Sequence, residues 1–227
     1  MTDRADRSPR LPRNRRHKVS ATRFLQQLRD GEARLAVFDP QYRGIMDKMA
    51  YGNEGARQKA RAALPQMTDS LIAFCVEEIE RVLAPSGHLM MWIDKFSIGS
   101  GHHIRYFART PRLQLVDVVH WHTMRFGMGR RSRSCSEYLL VLQKHPTRAK
   151  GCWTDSGIRD SWSEASDRGA HPHAKPIGLL ERLIRATTKA KDLVIDPCAG
   201  SYVTLEACRR TGRDFAGCDI LTTEEEP

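Results

Sequence analysis

Asp192–Asp219 reads DLVIDPCAGSYVTLEACRRTGRDFAGCD, and the succession of residue types in this stretch sets the fold. Asp192–Asp196 is an apolar run of strand length, Tyr202–Thr211 has helical character, and Asp214–Asp219 is a second apolar run. The first run enters the helix through Asp196-Pro197-Cys198-Ala199-Gly200-Ser201. Small residues there let the backbone come close to a ligand. The helix that follows has free N–H groups in its first turn. Asp219 ends the next run, where nucleoside-binding folds place an acid that accepts the ribose hydroxyls. The turn lacks the G-x-G-x-x-G pattern, and the chain has no G-x-x-x-x-G-K-[ST] loop, which argues against a dinucleotide and against ATP hydrolysis. An acid in the turn suits a cationic, phosphate-free ligand, and Asp196 would complement the ammonium of S-adenosylmethionine. A plain strand-to-helix turn capped by Asp196 accounts for the same residues.

Working outward, Lys175–Ala190 is an amphipathic helix with Ile177, Leu180, Leu183 and Ile184 inward. Residues 21–30 and 69–83 are helical, and residues 102–109 suggest a short helix. Arg34–Phe38, His88–Ile93, Leu113–Trp121 and Glu137–Gln143 read as strands. Pro85-Ser86-Gly87 is expected to end the second helix. Arg125–Arg133 and 145–170 read as loops. Strands alternating with helices predict one α/β domain with a mostly parallel twisted sheet covered on both faces.

The run Arg34–Phe38 leads into Asp39-Pro40-Gln41-Tyr42 at its carboxyl end, where open α/β sheets place their sites. An amino group conjugated to a base ring is a poor nucleophile. A carboxylate and a carbonyl accepting its two N–H bonds localise the lone pair on nitrogen. Asp39 and the carbonyl of Pro40 have that chemistry, and Tyr42 could stack on a base swung out of a duplex. Proline fixes the turn and has no N–H to donate. A turn with a packed tyrosine is the simpler account of these four residues taken alone.

The chain carries 37 Lys+Arg against 27 Asp+Glu, a formal net charge of +10, which fits a polyanionic partner such as DNA. No apolar run approaches the roughly 20 residues of a membrane helix, so no membrane association is expected. The arginine-rich start, residues 1–17, is expected to be a flexible tail that cannot fold alone. No apolar segment follows it, so it does not read as a secretory signal, and a cytoplasmic protein is expected. The six cysteines form no C-x-x-C pair, so no metal site is expected.

Together these residues resemble the permuted, β-class amino-group DNA methyltransferases, in which the catalytic motif precedes the cofactor motif. Asp39-Pro40-Gln41-Tyr42 is similar to the family's D-P-P-Y tetrad. His171-Pro172-His173-Ala174-Lys175-Pro176 is similar to its H-P-x-x-K-P segment. Asp196–Thr204 is similar to its D-P-F-x-G-S-G-T-T loop, and Asp219 to its strand-ending acid. Ser136-Glu137-Tyr138-Leu139 resembles the strand that often begins with an acid. The resemblance runs from about Lys18 to Ile220.

The resemblance implies a Rossmann-like, circularly permuted methyltransferase domain over residues 18–227. It implies direct transfer of a methyl group from S-adenosylmethionine to N6 of adenine in a flipped base, without a metal. Asp39, Pro40, Gln41 and Tyr42 would be catalytic. His171, Lys175, Pro176, Asp196, Pro197, Cys198, Ala199, Gly200, Ser201 and Asp219 would bind the cofactor. Target recognition would fall at about 122–135 and 145–170, with Arg125, Arg130, Arg131 and Arg133 on phosphate. The short recognition region is compatible with a homodimer.

Several residues depart from the pattern. Gln41 replaces the second proline, Cys198 a phenylalanine, and Ser20 an acid facing the cofactor adenine. Tyr202 and Val203 replace glycine and threonine and are expected to crowd the cofactor turn. The helix that usually follows the acid-bearing strand is not found before Pro227. Two alternatives stay open: the same chemistry on cytosine N4, and a DNA-binding protein that kept the fold without catalysis.

Overall fold

The computed structural model describes residues 11–41, 65–127, 131–165 and 174–221. Among these, eight strands form one sheet. They are β1 Arg16–His17, β2 Ala33–Phe38, β3 Leu83–Ile93, β4 Leu113–Gly127, β5 Ser134–Lys144, β6 Ser161–Ser163, β7 Leu193–Asp196 and β8 Asp214–Cys218. Their order is β1-β8-β7-β2-β3-β5-β4-β6. All neighbours pair in parallel except β3 with β5 and β4 with β5. The mostly parallel sheet expected from the alternation is present.

Helices cover both faces, as buried parallel strands require. On one face lie α1 Ala21–Gln26 and α2 Asp69–Val82. They bury Phe24, Leu25, Ile72, Cys75, Val76 and Ile79 against β2, β3 and β7. A short α3, Lys95–Ser100, and a 3-10 helix, His102–Phe107, follow β3. On the other face lie α4 Ile177–Thr187 and α5 Val203–Thr211, which bury Leu179, Leu183, Leu205 and Cys208. The spacing Leu179, Leu180, Leu183, Ile184 keeps one stripe of α4 on the sheet, and each such burial stabilises by roughly 1.5–3 kcal/mol. Thr68 caps α2 by accepting from the Leu71 N–H, and Gly212 ends α5 at φ 72°.

Four expectations need correction. Residues 11–17 are not a free tail. Arg16–His17 adds a parallel strand to β8, Asn14 bonds Phe215 through both backbone and side chain, and Arg13 pairs with Glu32 and Asp214. The missed signal is pairing to a distant strand, which local composition does not carry. Pro85-Ser86-Gly87 does not separate helix from strand: β3 begins at Leu83 and runs through it, with Ser86 at φ 59°. Arg125 is not in a loop, because β4 continues to Gly127. Residues 145–170 contain β6, parallel to β4. In both places a partner strand imposes extension on a polar sequence.

Candidate active site

The parallel strands end together along one edge of the sheet. Ala36 of β2 is in register with Ile195 of β7, and Asp196 of β7 with Gly217 of β8. Asp39, Asp196 and Asp219 therefore open onto one cavity of about 520 Å³ at the carboxyl ends of β2, β7 and β8. That volume is within the roughly 300–1,000 Å³ usual for small-molecule sites.

The turn after β7 is held by its own residues. Asp196 is 4% exposed, accepts from Thr204 Oγ1 at 2.6 Å and from the Cys198 N–H at 3.2 Å. Burial pushes its carboxyl up to about 7; the bonds from Thr204 and Cys198 oppose this, and Asp39 and Asp219 add to it. Asp219 accepts from the N–H groups of Gly200 and Leu221, at 3.2 and 2.8 Å. Its carboxylate is thus fixed at the cavity with lone pairs left for hydroxyls. Gly217 permits the close approach of β8: a Cβ there would lie 2.7 Å from the Asp196 carbonyl oxygen.

Of the turn residues expected to bind the cofactor, Asp196, Pro197, Cys198, Ala199, Gly200, Ser201 and Asp219 all line the cavity, as does Lys175. Pro176 instead caps the start of α4. Asp39 and Gln41 line the same cavity. Tyr42, His171 and Arg130 lie outside the described residues. Cys198 lies 3.8 Å from Met67 Sδ, and burial pushes its thiol well above its ordinary value, which disfavours the thiolate.

Tyr202 does not crowd the turn. It adopts φ 57°, a conformation that favours glycine, and its ring turns away from the cavity onto Phe215, 6.2 Å between centroids. Its hydroxyl donates to the His17 carbonyl at 3.2 Å, and Arg16 stacks on the ring. The bulk that departs from the family pattern thus anchors β1. Ser20 faces the cavity while its hydroxyl caps α1.

Three contributors escape the sequence, and a fourth, Glu137, is marked there only as the acid of a strand. Met67 and Leu71 form an apolar wall with Cys198, and no local pattern marks them. Trp92 floors the site, with Lys175 Nζ 4.9 Å from its ring centroid. Glu137, at the start of β5, accepts from Lys175 at 2.7 Å, while Lys175 pairs with Asp39 Oδ2 at 2.9 Å. Burial alone would lower the Lys175 pKa; the Asp39 and Glu137 carboxylates outweigh it and hold it above the ordinary lysine value.

The β4–β5 ribbon runs past this edge. Arg125, Phe126 and Arg131 are exposed, Phe126 by 86%.

A family model described as DNA methylase, covering N6 and N4 methylation, matches residues 33–226. The chain belongs to the N6/N4 DNA methylase family. This methylase is 45% identical over 214 residues to the type II methyltransferase M.HhaII of Haemophilus parahaemolyticus, across 94% of the chain and 93% of that relative. It is 37% identical over 91 residues to M2.LlaDCHI of Lactococcus lactis subsp. cremoris, across 40% of the chain and 33% of that relative.

Solved structures share the fold at lower identity. TTHA0409 of Thermus thermophilus is similar at TM-score 0.63 and 22% identity, covering 91% of this chain and 89% of that one. The cytosine-N4-specific PvuII DNA methyltransferase is similar at TM-score 0.65 and 15% identity, covering 90% and 81%. M1.HpyAVI, solved with its methyl donor, gives TM-score 0.62 at 16% identity, covering 90% and 92%.

As a member of this family the methylase acts on DNA and takes its methyl group from S-adenosylmethionine. Among the described residues no helix is long and apolar enough to cross a membrane.

Proposed function

We propose that this methylase transfers its methyl group to N6 of adenine, as the modifying enzyme of a type II restriction-modification system. The observation that carries the reading is the position of Asp39. Its carboxylate lies at the tip of β2, in the same cavity as Asp196 and Asp219. The tetrad begins with aspartate rather than the serine more common among cytosine-N4 members of the resembling family. The 45% identity to M.HhaII, a type II methyltransferase, supports the system.

The cavity suits S-adenosylmethionine. Asp219 would take the ribose hydroxyls, Met67, Leu71 and Cys198 the adenine face, and Asp196 the ammonium. The bound cofactor supplies an electrophilic methyl on a sulfonium. Asp39 accepts one amino N–H of the flipped base and the Pro40 carbonyl accepts the other, with Gln41 completing the turn and Tyr42 stacking on the base. Pro176 shapes the segment that presents Lys175. Arg125, Arg130, Arg131 and Arg133 contact phosphate from the β4–β5 ribbon and the residues between its strands. The enzyme works in the cytoplasm, and its short recognition region fits a homodimer.

The test is nucleoside analysis of unmethylated DNA after incubation with the protein and labelled cofactor. N6-methyladenine is expected. N4-methylcytosine would move the reading to the other base, and no labelled nucleoside would leave only a DNA-binding role.

A further inference from the structure

Lys175 stands between two carboxylates, and only one of them belongs to the tetrad. Its Nζ lies 2.9 Å from Asp39 Oδ2 and 2.7 Å from Glu137 Oε2, over the Trp92 ring, with its side chain 13% exposed. A lysine paired with Asp39 alone would cancel the charge that the transfer needs. The amino nitrogen forms a bond to the methyl carbon as that carbon's bond to sulfur breaks. Positive charge passes from sulfur to nitrogen, which then gives one proton to the Asp39 carboxylate and so to solvent. An Asp39–Lys175 pair has formal charge zero and opposes this weakly. Adding Glu137 brings the three groups to a formal charge of −1, which favours the positive charge developing on nitrogen.

We propose that Glu137 is a positioning residue for methyl transfer: it shares the Lys175 ammonium with Asp39, leaving Asp39 Oδ1 and a net negative formal charge for the target amino group. This rests on the reading of Asp39 as the amino-group acceptor. Glu137 reaches the cluster from β5, whose Tyr138 is in register with Ile93 of β3, and Met91 of β3 is in register with Phe38 of β2, so the sheet fixes its distance from the tip of β2. Its pairing with β4 is made by backbone, and its side chain is 44% exposed.

The test measures single-turnover methylation of PCR-amplified, unmethylated DNA at saturating cofactor, with cofactor Kd by calorimetry and a thermal melt for each variant. Glu137→Gln is expected to slow transfer about tenfold or more while cofactor Kd moves less than about threefold. Glu137→Gln/Lys175→Met restores the net negative charge and is expected to be faster than Glu137→Gln alone. A tie that merely holds the chain in place would make the double variant no better. Glu137→Asp, which keeps the charge, is expected to retain most of the rate. A Glu137→Gln rate within about twofold of wild type, a loss confined to cofactor Kd, or a double variant no faster than the single one would overturn the proposal. A wild-type chain that methylates nothing would sink the Asp39 reading instead.

Discussion

Asp39 and Asp196 lie at the ends of neighbouring parallel strands, where the pairing of Ala36 with Ile195 puts Asp196 beside Val37 and Asp39 two residues beyond, and both line one cavity. The pairing of β2 with β7 thus brings together two acids far apart in sequence. One has the chemistry to hold an amino group and the other to hold a cation, so base and methyl donor can meet between two strand tips.

Asp196 makes this arrangement costly to the fold. Its carboxyl is raised to about 7 by burial, above the roughly 3.9 of an unfolded chain. The folded state therefore holds an extra proton between these values, and its contribution to stability falls as pH rises from about 4 to about 7. Asp196→Asn removes the charge and can keep both bonds, accepting from Cys198 and donating to Thr204. It is expected to be more stable than wild type at pH 8, by up to roughly 4 kcal/mol, while binding the cofactor poorly. Thermal melts at pH 5 and 8 check this; a variant less stable at pH 8 contradicts it.

Cofactor binding should release a proton. Below pH 7 Asp196 is largely protonated in the free protein, and an ammonium beside it favours the carboxylate. Affinity is expected to fall about tenfold between pH 7.5 and 6, where the ligand's own amino group stays mostly charged. Calorimetry in two buffers of different ionisation enthalpy reads the proton directly. A pH-independent Kd would count against the Asp196 contact.

The sheet and the cofactor turn were legible because their signals are local. Apolar runs of strand length, a small-residue turn and Asp219 at a strand end all lie within Asp192–Asp219. What could not be read depends on pairing across the chain. Nothing near Arg16 announces that it joins β8, and nothing near Glu137 that it faces Lys175. Tyr202 misleads because its position suggests crowding, whereas its backbone takes the left-handed conformation and sends the ring onto Phe215.

Tyr202→Phe tests that last point. It removes the bond to the His17 carbonyl and is expected to cost about 0.5–1.5 kcal/mol, with faster proteolysis before Lys18. Cofactor Kd is expected to stay within about twofold, because the side chain lies outside the cavity. A large loss of affinity without loss of stability contradicts the assignment.

The proposed phosphate contacts of the ribbon are tested by salt dependence. Arg125→Gln and Arg131→Gln are each expected to weaken binding of any duplex and to lower the log K against log salt slope by about 1. An unchanged slope would mean that these arginines touch no phosphate.

The most direct test of the site is Asp39→Ala, followed by calorimetry of cofactor binding and nucleoside analysis of treated DNA. Cofactor affinity should change by no more than a few fold, while N6-methyladenine formed by the wild type drops by about a hundredfold or more. Methylation that persists at the wild-type rate in Asp39→Ala would contradict the account.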